Sequence, residues 1–170
     1  LNRCIEAATG EFVARMDADD VAHPDRFEKQ VGFLEQHPEY AVVGCSFHLY
    51  DEDGFWGYRG EEGAPQPRDF LWGNCFGHPT CMFRRNVLEE LGGYSTAIKH
   101  ERVEDFELFM RLYALGYRGY NMEEALVDYY ESRNSRGRRQ YRYRVNNARV
   151  RFEGYRALGL LPQGLPYICK

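Results

Sequence analysis

The chain has 170 residues, of which 44% are hydrophobic and 15% aromatic, which is enough to bury a core and excludes an intrinsically disordered polypeptide. No apolar run approaches the roughly 20 residues that a membrane-spanning helix needs. The net charge of −4 conceals a split: residues 1–132 hold 12 basic and 25 acidic side chains, whereas residues 133–170 hold 10 basic and 1 acidic.

That split predicts two parts, a body over 1–132 and a basic helical tail over 133–170. The body is strongly acidic, and no helix-turn-helix, RRM or zinc motif accompanies the arginines, so nucleic acid is not an expected partner. Five cysteines (Cys4, Cys45, Cys75, Cys81 and Cys169) lack C-x-x-C or His-paired spacing. They read as reduced, mostly buried thiols of a cytosolic protein and not as metal ligands.

Taken in order, Leu1 to Thr9 reads as the end of a helix stopped by Gly10. Phe12 to Met16 is a short apolar run expected to form a buried strand. Pro24 opens a helix in which Phe27, Val31 and Leu34 recur as a core-facing stripe, ending before Pro38. Tyr40 to Gly44 and Cys45 to Tyr50 read as two strands, followed by a turn over Asp51 to Gly54. Residues 53–67 are rich in Gly, Pro and Glu and read as a surface loop, with a short helix starting near Asp69. Thr80 to Arg84 is a strand, and Asn86 to Leu91 a helix capped by Gly92-Gly93. A polar loop over Ser95 to Val103 feeds a helix from Glu104 to Leu115, and Tyr117 to Tyr120 and Ala125 to Tyr130 are strands. From Gln140 to Leu158, Tyr141, Val145, Ala148, Phe152 and Tyr155 form an apolar stripe on an amphipathic helix. Its other faces carry Arg142, Arg144, Arg149, Arg151 and Arg156. They suit either a solvated surface or attraction to anionic lipid. Strands alternating with helices predict an α/β fold with a mixed sheet.

Directly after the first strand come Asp17, Asp19 and Asp20. Three carboxylates in four residues repel one another if buried unpaired, and a hard divalent cation would resolve the conflict. The same triplet also fits a solvated turn. An EF-hand is excluded, because Ala22 replaces the required Gly and Val21 stands at a ligand position.

The segment Gly10-Glu-Phe-Val-Ala-Arg-Met-Asp-Ala-Asp-Asp20 with His23-Pro-Asp-Arg-Phe-Glu-Lys-Gln30 resembles the aspartate-motif region of family 2 glycosyltransferases of the GT-A fold. Gly77-His78-Pro79-Thr80, Met82 to Arg85, Leu91-Gly92-Gly93-Tyr94 and Glu104-Asp105 follow in that family's order, so the resemblance runs over residues 2 to 130. It implies a GT-A-like mixed sheet flanked by helices. It also implies an inverting, metal-dependent transfer of sugar from a nucleotide-diphosphate sugar to an acceptor hydroxyl, in cell-surface polysaccharide or glycolipid synthesis.

By the resemblance, Asp19 is a direct ligand of Mn²⁺ or Mg²⁺, and Asp17 lies near the metal or the ribose. Asp20 is a supporting substrate contact or a helix cap. Asp105 is the general base, although an acidic pair also suits any first helical turn. Glu104 would bind sugar hydroxyls, and His78 would line the sugar site. Trp72 and Phe76 suit either sugar stacking or the core. Family members often place a His or Arg from a late loop on the diphosphate; here the loop has no His, and Arg133 is the substitute. Expected partners are the nucleotide-sugar donor, a carbohydrate or lipid-linked acceptor, and an anionic membrane surface touched by the tail. The expected location is cytoplasmic, peripheral at the inner membrane surface. Family members begin with a strand and loop that hold the nucleotide base, ahead of the aspartate motif. The expectation is therefore a partial domain with its amino-terminal strands missing, an open sheet edge at Phe12 to Met16, and self-association into a homo-oligomer. A non-catalytic remnant that binds a sugar or a partner is the alternative from a different functional class.

Overall fold

The computed structural model describes residues 1–60, 62–131 and 141–168. In chain order the elements are α1 (Asn2–Ala7), β1 (Phe12–Ala14), β2 (Val21–Ala22), α2 (Arg26–Gln36), β3 (Val42–Asp51), β4 (Gly54–Arg59), β5 (Met82–Arg84), α3 (Arg85–Glu90), α4 (Glu104–Ala114), β6 (Gly119–Tyr130), α5 (Tyr141–Ala157) and α6 (Leu161–Gly164). Short 3-10 turns cover Pro67–Leu71, His78–Thr80, Ile98–His100 and Leu165–Tyr167.

β3 is the axis of the sheet because its Val, Cys, Phe and Leu residues suit burial on both faces. The strand order is β1-β5-β3-β6-β2, with β4 also paired to β3. The β3–β6 pair is parallel, and the remaining pairs are antiparallel. The sheet is therefore mixed.

Successive strand residues point to opposite faces, and this divides the core. Val43 and Met82 pack with Leu34 of α2 on one face. Val42 and Phe83 pack on the other with Val87, Leu88, Phe106, Phe109, Val150 and Tyr155 from α3, α4 and α5. The result is an α/β layered domain with helices on both sides of the sheet, as a GT-A-like fold requires.

Several local expectations are corrected. β3 is one strand, not two, and β6 likewise joins its two expected pieces. β4 lies in the stretch read as loop, because Gly54 (φ 108°) closes a hairpin that sends Phe55 to Arg59 back along β3. β1 ends at Ala14 and is only half-buried, since it is an edge strand with one described neighbour, and Met16 is 45% exposed. In α2 the buried positions are Arg26, Gln30 and Leu34, while Phe27 lies outside. In α5 they are Asn146, Val150, Arg151 and Tyr155, while Tyr141 and Phe152 are exposed. The α5 face is chosen by polar demand: Asn146 donates to the carbonyls of Ile98 and Glu101, and Arg151 donates to that of Leu71.

Candidate functional site

The aspartate run is a turn between the two outermost strands, β1 and β2. Asp17 forms an ion pair with Arg15 at 2.6 Å and stays half-exposed, and Asp19 is exposed. Asp20 faces inward: its Oδ1 accepts the Tyr130 backbone N–H at 3.1 Å, and its Oδ2 is buried without a hydrogen-bond partner. Burial pushes the Asp20 carboxyl above its ordinary range, the Tyr130 N–H pulls it back, and the charges of Asp17 and Asp19 push it up again. Asp20 thus ties the run to β6, and it caps no helix because α2 begins at Arg26 after Asp25.

Arg26 holds the start of the run from beneath. Its guanidinium donates to the Arg15 carbonyl at 2.8 Å, to the Pro79 carbonyl at 3.3 Å and to Gln30 Oε1 at 3.0 Å. Gln30 passes the link on by donating to the Thr80 carbonyl at 2.8 Å. One buried helical face therefore fixes the segment entering Asp17 relative to the turn that carries His78.

His78 meets Tyr94, with Nε2 and the phenolic oxygen 2.7 Å apart. Burial pushes the imidazole down to about 4; the Arg15 charge adds to the drop, and the Asp17 charge opposes it. Tyr94 is itself fixed through its backbone: its N–H donates to Asn2 Oδ1 at 2.8 Å, and its carbonyl accepts from Asn2 Nδ2 at 2.9 Å. Gly93 (φ 70°) precedes it, where a Cβ would stand 2.7 Å from Asn2 Oδ1. Arg111 of α4 donates to the carbonyls of Leu91 and Gly93 and pairs with Glu107, so α4 braces the same turn.

Asp105 and Glu104 open α4. Burial raises the Asp105 carboxyl above its usual range, with Glu104 adding to the rise. The N–H groups of Phe106 and Asp105 and the Asn74 amide pull it back; Asn74 Nδ2 donates to Asp105 Oδ2 at 3.0 Å. Burial and hydrogen-bond donors thus act on the Asp105 carboxyl in opposite directions, with burial the larger. The charges of Asp105, Glu104 and Arg15 all reach Tyr94. Tyr94 therefore touches His78 and lies within electrostatic reach of Arg15 and of the start of α4. A groove of about 730 Å³ runs past Tyr94, Ser95, Glu101 and Glu104.

His78 meets Tyr94 directly and the charges of Glu104 and Asp105 reach the same tyrosine, whereas Asp17 is paired with Arg15 and Asp19 is exposed. Arg133 lies outside the described residues. Phe76 is core, stacked on Phe109 with centroids 4.7 Å apart, whereas Trp72 is exposed with its ring edge-on to Tyr167. Sequence reading missed Tyr94, Asn74 and Arg15 as site residues. Tyr94 did have a signal, standing at the end of the Leu91-Gly92-Gly93-Tyr94 motif; Asn74 had none.

Asp17, Asp19 and Asp20 do not converge as a three-ligand cluster, since Asp17 pairs with Arg15 and Asp20 turns toward β6. Two outward carboxylates of hard oxygen character still suit Mn²⁺ or Mg²⁺, which take one or two carboxylates and complete their shell with phosphate and water. The buried oxygen of Asp20 faces away from them and is not part of that pair.

The family model described as Glycosyl transferase family 2 matches residues 1–92. That match includes the aspartate run and the His78 turn and ends before Glu104 and Asp105. The putative glycosyltransferase EpsE of Bacillus subtilis (strain 168) is 39% identical over 170 residues, covering 100% of this chain and 61% of the relative. The amylovoran biosynthesis glycosyltransferase AmsE of Erwinia amylovora is 32% identical over 132 residues, 75% of this chain and 47% of the relative. The chain thus spans about half to three-fifths of the length of these relatives. Among solved structures, S. aureus TarS 1–349 in complex with UDP-GlcNAc superposes with a TM-score of 0.66 at 17% identity, over 98% of this chain and 51% of TarS.

Proposed function

The chain belongs to glycosyl transferase family 2, and from that premise we propose that it carries the catalytic part of an inverting, metal-dependent glycosyltransferase acting on a nucleoside-diphosphate sugar. The observation that carries the reading is the His78–Tyr94 contact, which the charges of Glu104 and Asp105 reach from one side and that of Asp17 reaches through His78. A nucleotide-sugar donor is further supported by the UDP-GlcNAc bound to the fold neighbour TarS. Synthesis of a polysaccharide is supported by the named role of AmsE.

Asp17 and Asp19 would hold Mn²⁺ or Mg²⁺, which when bound supplies Lewis-acid charge to the leaving diphosphate. Asp105 takes the proton from the acceptor hydroxyl, with Asn74 fixing the direction of its carboxylate. Glu104 accepts hydrogen bonds from sugar hydroxyls in the adjoining groove. His78, uncharged at neutral pH, orients the sugar through hydrogen bonding and leaves charge compensation to Arg15 and the cation. Asp20 keeps the run in place through Tyr130. Arg133 is our candidate for contact with the diphosphate. Exposed Arg144, Arg149 and Arg156 on α5 are the residues through which the protein would meet an anionic, cytoplasmic membrane surface carrying a lipid-linked acceptor.

The test separates binding from chemistry. In the full-length transferase that supplies the nucleotide-base strand and loop, Asp105→Asn is expected to lower transfer by about 10²- to 10⁴-fold while Mn²⁺-dependent UDP binding stays intact, because the base acts on the acceptor and not on the diphosphate. Asp19→Ala is expected to weaken the metal-dependent UDP binding seen by calorimetry. Nucleotide binding without transfer by the parent would leave a sugar-binding domain instead of an enzyme. Metal-dependent UDP affinity unchanged by Asp19→Ala would remove the aspartate run from the site.

A further inference from the structure

A second group of metal-ligating side chains lies outside this site. Strand side chains alternate between faces, so residues from three strands meet only if pairing brings them to one level of the sheet. His48 on β3 is paired with Asp128 on β6, and Asp128 is paired with Val21 on β2, two residues before His23. The His23 N–H donates to the Leu126 carbonyl at 3.0 Å, which extends the β2–β6 ladder beyond its assigned end. Asp128 Oδ1 consequently lies 2.9 Å from His23 Nε2 and 3.2 Å from His48 Nδ1. The three ligand-capable atoms fall within 4.8 Å of one another.

We infer that His23, His48 and Asp128 bind a borderline transition-metal ion of the Zn²⁺ class. The donor set is the first argument. Two imidazoles and one carboxylate suit Zn²⁺ and its neighbours, whereas the all-oxygen aspartate run suits Mn²⁺ or Mg²⁺. Spacing is the second. Bonds of about 2.0–2.2 Å in a tetrahedral ion set neighbouring ligand atoms about 3.3 Å apart, so the two Asp128 contacts need to open by only tenths of an ångström. Shelter is the third: the three side chains are 29%, 34% and 30% exposed, reachable from solvent yet set into the sheet. Phe55 meets the His48 ring edge-on with centroids 5.6 Å apart, and Tyr58 lies 6.1 Å away, so β4 supplies an aromatic wall. The fourth coordination position is left to water.

Such an ion would act as a staple. β2 is two residues long and sits between the aspartate run and α2. A bond from His23 through the ion to β3 and β6 would hold that short edge strand against the sheet centre. Metal that binds only the folded state raises the melting temperature with concentration.

The experiment uses the metal alone on chelator-stripped protein. Zn²⁺ titration by calorimetry should give one equivalent bound at micromolar concentration and a rise in melting temperature. Substitution with Co²⁺ should give visible d–d bands of low coordination number and paramagnetically shifted proton signals from two imidazole rings. His48→Gln and Asp128→Asn should each weaken Zn²⁺ by about tenfold or more, while Asp19→Ala should leave it unchanged. Absence of Zn²⁺ binding, or equal affinity in a His23→Gln/His48→Gln double variant, overturns the site and leaves the three residues as a hydrogen-bonded cluster. A thiolate-to-Co²⁺ charge-transfer band at one equivalent overturns it in favour of the cysteines. If the variants fail to fold, the shifted imidazole signals of the parent decide: two rings support the site, and none refutes it. Failure of these outcomes leaves the glycosyltransfer reading untouched, because that reading is tested through UDP and Asp19.

Discussion

His78 is uncharged at neutral pH because burial and the Arg15 charge outweigh the pull of Asp17. An imidazole lowered from the ordinary 6.5 to about 4 binds its proton less readily in the folded state than in the unfolded chain. His78 therefore contributes its full stabilisation above about pH 6.5, and that contribution is lost as pH falls toward about 4. A lowering from 6.5 to about 4 corresponds to about 3 kcal/mol. Urea melts of the parent and of His78→Gln at neutral pH and near pH 4 should show the parent losing about 3 kcal/mol more than the variant. Equal losses would mean that the buried ring accepts a proton without cost. Asp20 and Asp105 have raised values and act in the opposite sense. For that reason the comparison of parent with variant, and not the parent's curve alone, carries the test.

Among the elements, α2 departs most from its apparent pattern. Its spacing offers Phe27, Val31 and Leu34 as a stripe, yet Phe27 is 53% exposed and Arg26 is fully buried. Beneath α2 lie the carbonyls of Arg15, just past β1, and of Pro79 and Thr80 in the 3-10 turn, and buried carbonyls need donors. Phe27 is not wasted, since its ring lies 5.5 Å from the Arg26 guanidinium. Arg26→Met should cost roughly 2–4 kcal/mol in chemical denaturation, because it strands two carbonyls and the Gln30 amide oxygen. Arg26→Lys should recover little of this, since an ammonium on a flexible stem does not reproduce the planar fork. A loss below about 0.5 kcal/mol for Arg26→Met would show that water replaces the guanidinium.

At the scale of the whole molecule, the sheet ends in strands of unequal protection. β2 is very short, whereas β1 pairs with β5 alone, and its outer edge has no partner among the described residues. Such an edge offers free N–H and C=O groups to another chain. The 170-residue chain is therefore expected to self-associate in sedimentation runs at rising concentration. Ala14→Lys places a charge at an exposed β1 position and should shift the distribution toward monomer. A monodisperse parent would mean that the β1 edge is not a pairing surface.

The mixed α/β class, the family and most of the helices were legible in the residues, whereas β2 and β4 were not and β3 and β6 were read in pieces. Hydrophobic period, glycine stops and the aspartate run are local signals, and local signals survive in a sequence read without its fold. The aspartate run, the His78 turn and the Glu104-Asp105 pair could each be named from neighbours in the chain. What the chain order could not reveal was which side chains share a place. Tyr94 meets His78 because Asn2, Gly93 and Arg111, from three separate segments, fix its turn there. Arg26 and Arg151 look like surface charges in the sequence, but both are buried because they meet carbonyls contributed by distant strands and turns. His23, His48 and Asp128 are up to 105 positions apart and meet only through the pairing register of three strands. Hydrophobic pattern records what must leave water, whereas the partners of buried polar groups are set by tertiary packing, which decides where their hydrogen bonds can be made.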